Sequence, residues 1–257
     1  LTLDGDAITD PALHGGMVYK KFNGPLFSSQ GPKFTDTVQG SLGDCYLLVG
    51  LGAIAYDQPQ VLKANIVDFN DGTYGVRFGN EFFRVDGDLP ASSSYATTPA
   101  FAQLGSGGSL WVAIAEKAFA HYRTTAESYK AIEYGWHSEV FHAFNALEVG
   151  KRSFSVFSSG VQIANQLYTH WSYYQAACVG FIGSATNNYG LVMNHAYLVH
   201  SFQWNSTGAI ASVTFRNPWG FDGSNRDSNP NDGLVTLTTD ELFALRGNGW
   251  MEFGRFV

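Results

Sequence analysis

Three residues have the types and chain order of a thiol nucleophile, its base and an orienting amide: Cys45, His195 and Asn217. The thiolate is the nucleophilic form of cysteine. A Cys in the first turn of a helix sits beside unpaired backbone N–H groups and the positive end of the helix dipole, which favour it. Cys45 opens such a segment, Cys45-Tyr46-Leu47-Leu48-Val49-Gly50-Leu51-Gly52-Ala53-Ile54-Ala55. This run is apolar all round and reads as a fully buried helix, with Asp44 placed to cap it. Gly40 and Gly43 let the backbone approach a bound substrate closely. Gln39, on the approach to the helix, carries an amide that can donate to a developing oxyanion. Taken singly, Cys45 reads equally well as a small buried core residue.

Of the seven histidines, His195 stands at the entry to the apolar strand Ala196-Tyr197-Leu198-Val199. There it can project from a rigid element, whereas His200 lies inside the strand. Asn217, in Arg216-Asn217-Pro218-Trp219-Gly220, can accept from one imidazole nitrogen and fix the ring's tautomer, with Trp219 keeping water away. Taken singly, it reads as an Asn-Pro turn. The order Cys, His, Asn decides the matter, because it is the order of papain-like proteases, with the partners far downstream of the cysteine.

These groups need rigid carriers. Residues 73–78 and 82–86 read as paired strands around a Gly79-Asn80 turn. Ser109 is expected to cap a helix over 110–120, and Ser138 to start another running to about Val149. Ser159 and Gln162 form a capping-box pattern. Segments 178–182, 196–202, 211–216 and 235–237 are β-rich, and Thr238-Thr239-Asp240-Glu241 caps a last short helix. The chain therefore divides into a helix-dominated part, 1–155, and a strand-dominated part, 156–257. A cleft between two such lobes is a common place for an active site.

With 257 residues and 45% apolar side chains the chain has ample material for a core. Charged residues are only 14%, and the net charge of -7 leaves few cations for a phosphate backbone, so nucleic acid is excluded as a partner. Two cysteines do not make a disulfide scaffold, no run reaches the ~20 apolar residues of a membrane span, and the compartment stays open. A chain beginning at Leu1 fits an upstream propeptide or additional domains.

The segment Gln39-Gly40-Ser41-Leu42-Gly43-Asp44-Cys45-Tyr46-Leu47-Leu48 resembles the catalytic-cysteine motif of the calpain protease core. Asn194-His195-Ala196-Tyr197 and Arg216-Asn217-Pro218-Trp219-Gly220 resemble its histidine and asparagine motifs. Residues 82–90 and 110–118 extend the likeness, which covers nearly the whole chain from about residue 23. The resemblance implies an α+β, papain-like two-lobed fold, with a helix-dominated first lobe, a β-rich second lobe and the active site in the cleft between them. It implies a cysteine-type endopeptidase acting on protein or peptide substrates, with Gln39 in the oxyanion hole and Trp219 shielding the His195–Asn217 pair. Two positions depart from the family: Tyr46 stands where Trp is usual, and Asn194 where Gly is usual. The alternatives are a transglutaminase-like acyltransferase, which typically has Asp in place of Asn217, and a non-catalytic interaction module on a protease fold.

The calpain core binds calcium in both lobes. By the resemblance, Asp36 matches one ligand of the first site, but Lys130 stands where a Glu is usual. Asp232 matches one ligand of the second, but Leu234 stands where another carboxylate is usual. Asp36 and Asp232 are thus the metal candidates. Asp222, Asp227 and Asp232 offer a rebuilt cluster in loop 220–233, against which stands a plain solvated turn. The expectation is activity with no cofactor and no strict need for calcium.

Overall fold

The computed structural model describes residues 8–173, 175–223 and 229–256. The chain folds as two compact units, Leu1–Asn145 and Ala146–Val257. The division falls ahead of the boundary at 155 read from the sequence. Residues 148–153 form an edge strand of the second unit's sheet, so hydrogen bonding assigns them there.

The first unit contains β1 (Val18–Lys21), α1 (Cys45–Asp57), α2 (Pro59–Asn65), β2 (Ile66–Asp68), β3 (Thr73–Phe78), β4 (Glu81–Asp86), β5 (Asp88–Ala91), α3 (Trp111–Tyr122) and α4 (His137–Ala143). α1 is buried on every side from residue 46 to 55, as its all-round apolar sequence requires. At Gly50 a Cβ would come within 2.9 Å of Val140, so the missing side chain sets how closely α4 approaches α1. β3 and β4 form the expected hairpin, Phe78 facing Glu81 across Gly79-Asn80, and β2 adds a third strand. β1 pairs with β5.

Two helix boundaries differ from the sequence reading. α3 begins one residue past Leu110, which is its N-cap without a side-chain cap bond, and the Ser109 hydroxyl is buried beneath it. α4 stops at Ala143 rather than near Val149, because Asn145 takes a left-handed backbone conformation (φ 58°) that no helix continues.

The second unit contains β6 (Glu148–Ser153), α5 (Gly160–Ser172), β7 (Gln175–Phe181), β8 (His195–Trp204), β9 (Ile210–Arg216), β10 (Leu234–Thr238), α6 (Thr239–Ala244) and β11 (Gly249–Arg255). Its strands form one antiparallel sheet in the order β10-β9-β8-β7-β11-β6. Ile163, Ala164 and Leu167 of α5, with Leu242 and Leu245 at α6, pack on Val179, Tyr197, Val199, Phe215 and Met251 of the sheet. Both helices start at the predicted caps: Ser159 accepts from Gln162 N at 3.2 Å, and Thr238 and Glu241 form a capping box. The β8–β9 pairing slips by one residue between Val199 and Ser201, leaving His200 as the extra residue, and shifts again between Gln203 and Trp204. Among the described residues no helix is long and apolar enough to cross a membrane.

Candidate active site

The thiol half of the site lies in the first unit. Cys45 is the first residue of α1, half-buried, at the dipole's positive end. The irregular approach to it is pinned to the backbone of residues 100–103. Ser41 donates its N–H and its hydroxyl to Ala100 O at 2.9 and 3.0 Å, and Gln103 N donates to Val38 O at 2.9 Å. Gly40 belongs to this contact: a Cβ there would lie 2.3 Å from the carbonyl oxygens of Ala100 and Phe101. Its smallness therefore serves the chain's own packing, not only substrate approach. Gly43 is under no such pressure, its missing Cβ facing the Glu133 side chain at an ordinary 3.6 Å.

Gln39 Nε2 donates to Leu42 O at 2.7 Å, and its amide also bonds the Asp44 carboxyl, so the amide is held in place beside the nucleophile. Tyr46, where the family has Trp, is buried with its hydroxyl donating to Ile132 O at 3.0 Å and the Arg123 guanidinium 5.1 Å above its ring. It anchors the helix start as a larger indole would. Asp44 occupies the N-cap position but makes no cap bond. Its carboxyl is instead fully buried against that of Glu116. Burial raises both acids above the usual carboxylate range, and the Asp44 charge raises Glu116 further. Glu116 was not singled out from the sequence; a Glu inside the apolar run 110–120 was the available signal.

The imidazole half lies in the second unit. His195 is the first residue of β8 and is buried; Asn217 follows the last residue of the neighbouring β9 and is completely buried. The sheet thus brings the two side by side, His195 Nε2 and Asn217 Oδ1 being 2.9 Å apart. The amide's orientation is fixed from behind. Nδ2 donates to Asp222 O at 3.2 Å, and Oδ1 also accepts from Trp219 N at 3.0 Å. With Oδ1 facing the ring, Nε2 must carry the hydrogen, and the lone pair falls on Nδ1. Trp219 lies over the imidazole, ring centroids 4.7 Å apart, and Tyr197 meets it edge-on at 5.2 Å. Asn194 has a left-handed backbone (φ 56°), and its side chain is tied back to Gly183, accepting from the Gly183 N–H at 2.9 Å.

Neither metal candidate is set up for a cation. Asp36 is completely buried, with its oxygens taken by three N–H donors: Lys33 N at 3.0 Å, Ser106 N at 2.8 Å and Trp111 Nε1 at 2.9 Å. Lys130 pairs with Glu133. Asp232 accepts from Leu234 N at 2.8 Å and from Asn229 Nδ2 at 3.1 Å, closing its own turn. Calcium seeks several free carboxylate or carbonyl oxygens, and donor-filled carboxylates do not fit it. Asp222 is buried behind Asn217, and Asp227 lies outside the described residues.

The sequence matches the family described as calpain family cysteine protease over residues 18–257. The chain belongs to that family. It is 28% identical over 259 residues to the calpain-2 catalytic subunit of Gallus gallus, covering 91% of this chain and 35% of that protein. It is 27% identical over 256 residues to calpain-12 of Homo sapiens, covering 91% and 34%. The chain thus spans about a third of the length of the curated relatives it matches. Among solved structures, the Amb a 11 cysteine protease of ragweed pollen in its proform aligns over 90% of this chain and 62% of its own, at 12% identity. Its TM-score of 0.32 is too low to carry an argument. Family membership gives the chain the α+β, papain-like fold of the calpain cysteine-protease core.

Proposed function

We propose that the chain is a cysteine endopeptidase with Cys45 as nucleophile, His195 as its base and acid, and Asn217 as the residue that orients the ring. The observation that carries this reading is the buried His195–Asn217 bond under Trp219. A neutral amide held by two backbone groups commits one ring nitrogen and leaves the other to exchange protons.

In the reaction, the Cys45 thiol gives its proton to His195 Nδ1; the thiolate attacks the peptide carbonyl carbon, a C–S bond forms and the carbonyl π pair moves onto oxygen. The Cys45 N–H and the Gln39 amide stabilise the oxyanion. As the C–N bond breaks, His195 passes its Nδ1 proton to the leaving amine, and a thioester remains. Water then gives a proton to Nδ1 and adds to the thioester, and cleavage of the C–S bond restores the thiolate. Substrates are protein or peptide chains. The test is incubation with an unfolded protein in the presence of a primary amine, combined with labelling by an epoxide inhibitor of thiol proteases. Peptide fragments, with the label mapped to Cys45, are expected. Amine conjugates instead of fragments would assign the chain to acyl transfer, and an unlabelled Cys45 would make it a binding module.

Replacing Asn217 by Ala, or by the longer Gln, frees or misplaces the ring. The expected result is a kcat loss on the order of 10-fold or more with little change in KM. Kinetics on the folded protein, checked by circular dichroism, decide it; unchanged kcat would reduce Asn217 to a turn residue.

Because the Asp36 and Asp232 carboxylates are occupied by N–H donors, the proposed activity has no strict calcium requirement. Rates in excess chelator and in added calcium should agree within about twofold, as no cation is needed to order either carboxylate. Activity that vanishes with chelator and returns with calcium would overturn this.

A further inference from the structure

We propose that Glu116 is a positioning residue for the thiol half of the site: as a neutral acid it shares its proton with Asp44 and so holds the turn that carries Gln39 and Cys45. The inference rests on the peptidase reading for its kinetic consequences, though not for its structural ones.

Asp44 and Glu116 are 0% and 1% exposed, and their carboxyls lie within hydrogen-bonding reach of each other. Both oxygens of Asp44 are buried, and the side chains that bond them, Glu116 and Gln39, bring no cation. A buried carboxylate without a paired cation is costly, and two facing carboxylates cannot both ionise. A proton between them resolves both problems. Glu116 Oε1 also accepts from the Ala102 N–H, at 2.9 Å. It thus links the residue preceding the nucleophile to the segment that pins Ser41 and Gly40. Gln39 stands on the same side, its amide near Asp44 and its Oε1 buried without a partner among the described residues.

Among the described residues, the groups that act most on the pair include no cation. Asp44 meets Gln39 and the charge of Glu133, which is itself engaged by Lys130 and, at 3.9 Å, His14. Glu116 is near the Tyr19 and Tyr129 hydroxyls. Both acids are raised above their unfolded values, chiefly by burial. Their contribution to stability is therefore full below the ordinary carboxylate range and is lost as pH rises through the raised values. When the shared proton leaves, two like charges oppose each other under the turn, next to a thiolate of the same sign.

Glu116→Gln separates these effects, since an amide keeps both hydrogen bonds and cannot ionise. In the whole chain carrying Cys45→Ala, difference infrared spectroscopy at neutral pH should show the carbonyl band of a neutral buried acid, reduced when Glu116→Gln is added. In the active chain, Glu116→Ala should lower kcat on the order of 10-fold at nearly constant KM. Glu116→Gln should recover most of that loss and carry the alkaline limb of Cys45 alkylation by iodoacetamide to higher pH. Equal infrared bands with and without Gln, or equal impairment by Ala and Gln, would overturn the proposal. If Glu116→Ala does not fold, the infrared and alkylation comparisons with Gln still decide. A chain that alkylates as described but cleaves no peptide would sink the peptidase reading and leave the carboxyl pair standing.

Discussion

Replacing Cys45 with Ala is expected to abolish peptide hydrolysis, a fall of about 10,000-fold or more, because loss of the nucleophile leaves only binding and oxyanion stabilisation. Replacing Cys178, the other cysteine, should leave the rate nearly intact. Cys178 is fully buried in the middle of β7, where neighbouring strands place Leu198 and Glu252 opposite it. Its truncation costs about 1 kcal/mol of stability, the usual size for a small core change. Both variants should be compared on one fluorogenic peptide after folding is verified. Full activity in Cys45→Ala would end the assignment of the nucleophile.

The largest stability effect is expected at Lys117. Its side chain is 0% exposed, inside a helix buried along nearly its whole length. The ammonium pairs with Asp86 at 2.6 Å and Asp10 at 2.5 Å and donates to Asp88 O at 2.7 Å, with the Tyr19 ring 5.1 Å away. Two of its protons are hydrogen-bonded, to Asp86 and Asp88 O, and Asp10 adds a second negative charge beside it. Lys117→Met keeps the apolar stem but strands the buried Asp86 charge, and breaking a buried pair on one side costs about 3–5 kcal/mol. Urea unfolding should show the free energy of unfolding fall by that amount, read as a lower midpoint at unchanged slope, and adding Asp86→Asn should recover part of it. A midpoint within experimental error of the parent would show that the aspartates are solvated or protonated without the lysine.

Where the sequence carries a strong period or a cap, the fold follows it. α1, the β3–β4 hairpin, α5, α6 and the placement of His195 at the head of β8 are all visible in residue order. What stayed hidden depends on distant partners. β6 is largely exposed, at the sheet's edge, and its polar Glu148–Ser153 stretch shows no alternation to distinguish a strand from a helix end. β11 is interrupted by glycines and a charge, and becomes a strand because β6 and β7 flank it. Asp44 sits in the capping position by sequence, yet its carboxyl turns inward because Glu116, far along the chain, is there to meet it. The reason for Gly40 was equally remote, in the carbonyls of Ala100 and Phe101. At the site, order alone nominated His195 and Asn217, but the choice of ring nitrogen required the bonds that Asn217 makes to Trp219 and Asp222.

The one-residue slip at His200 also bears on how this protein can be altered. It lies partway along the β8–β9 hairpin, between the end that bears His195 and Asn217 and the solvent-exposed Asn205–Gly208 turn. Slack introduced at the turn meets two irregularities before it reaches the imidazole, whereas the register from Leu198 and Arg216 onward is set by ordinary ladder pairing. The turn is thus a natural splice point: an epitope or affinity handle grafted there rides on the hairpin's far tip without re-aiming the ring.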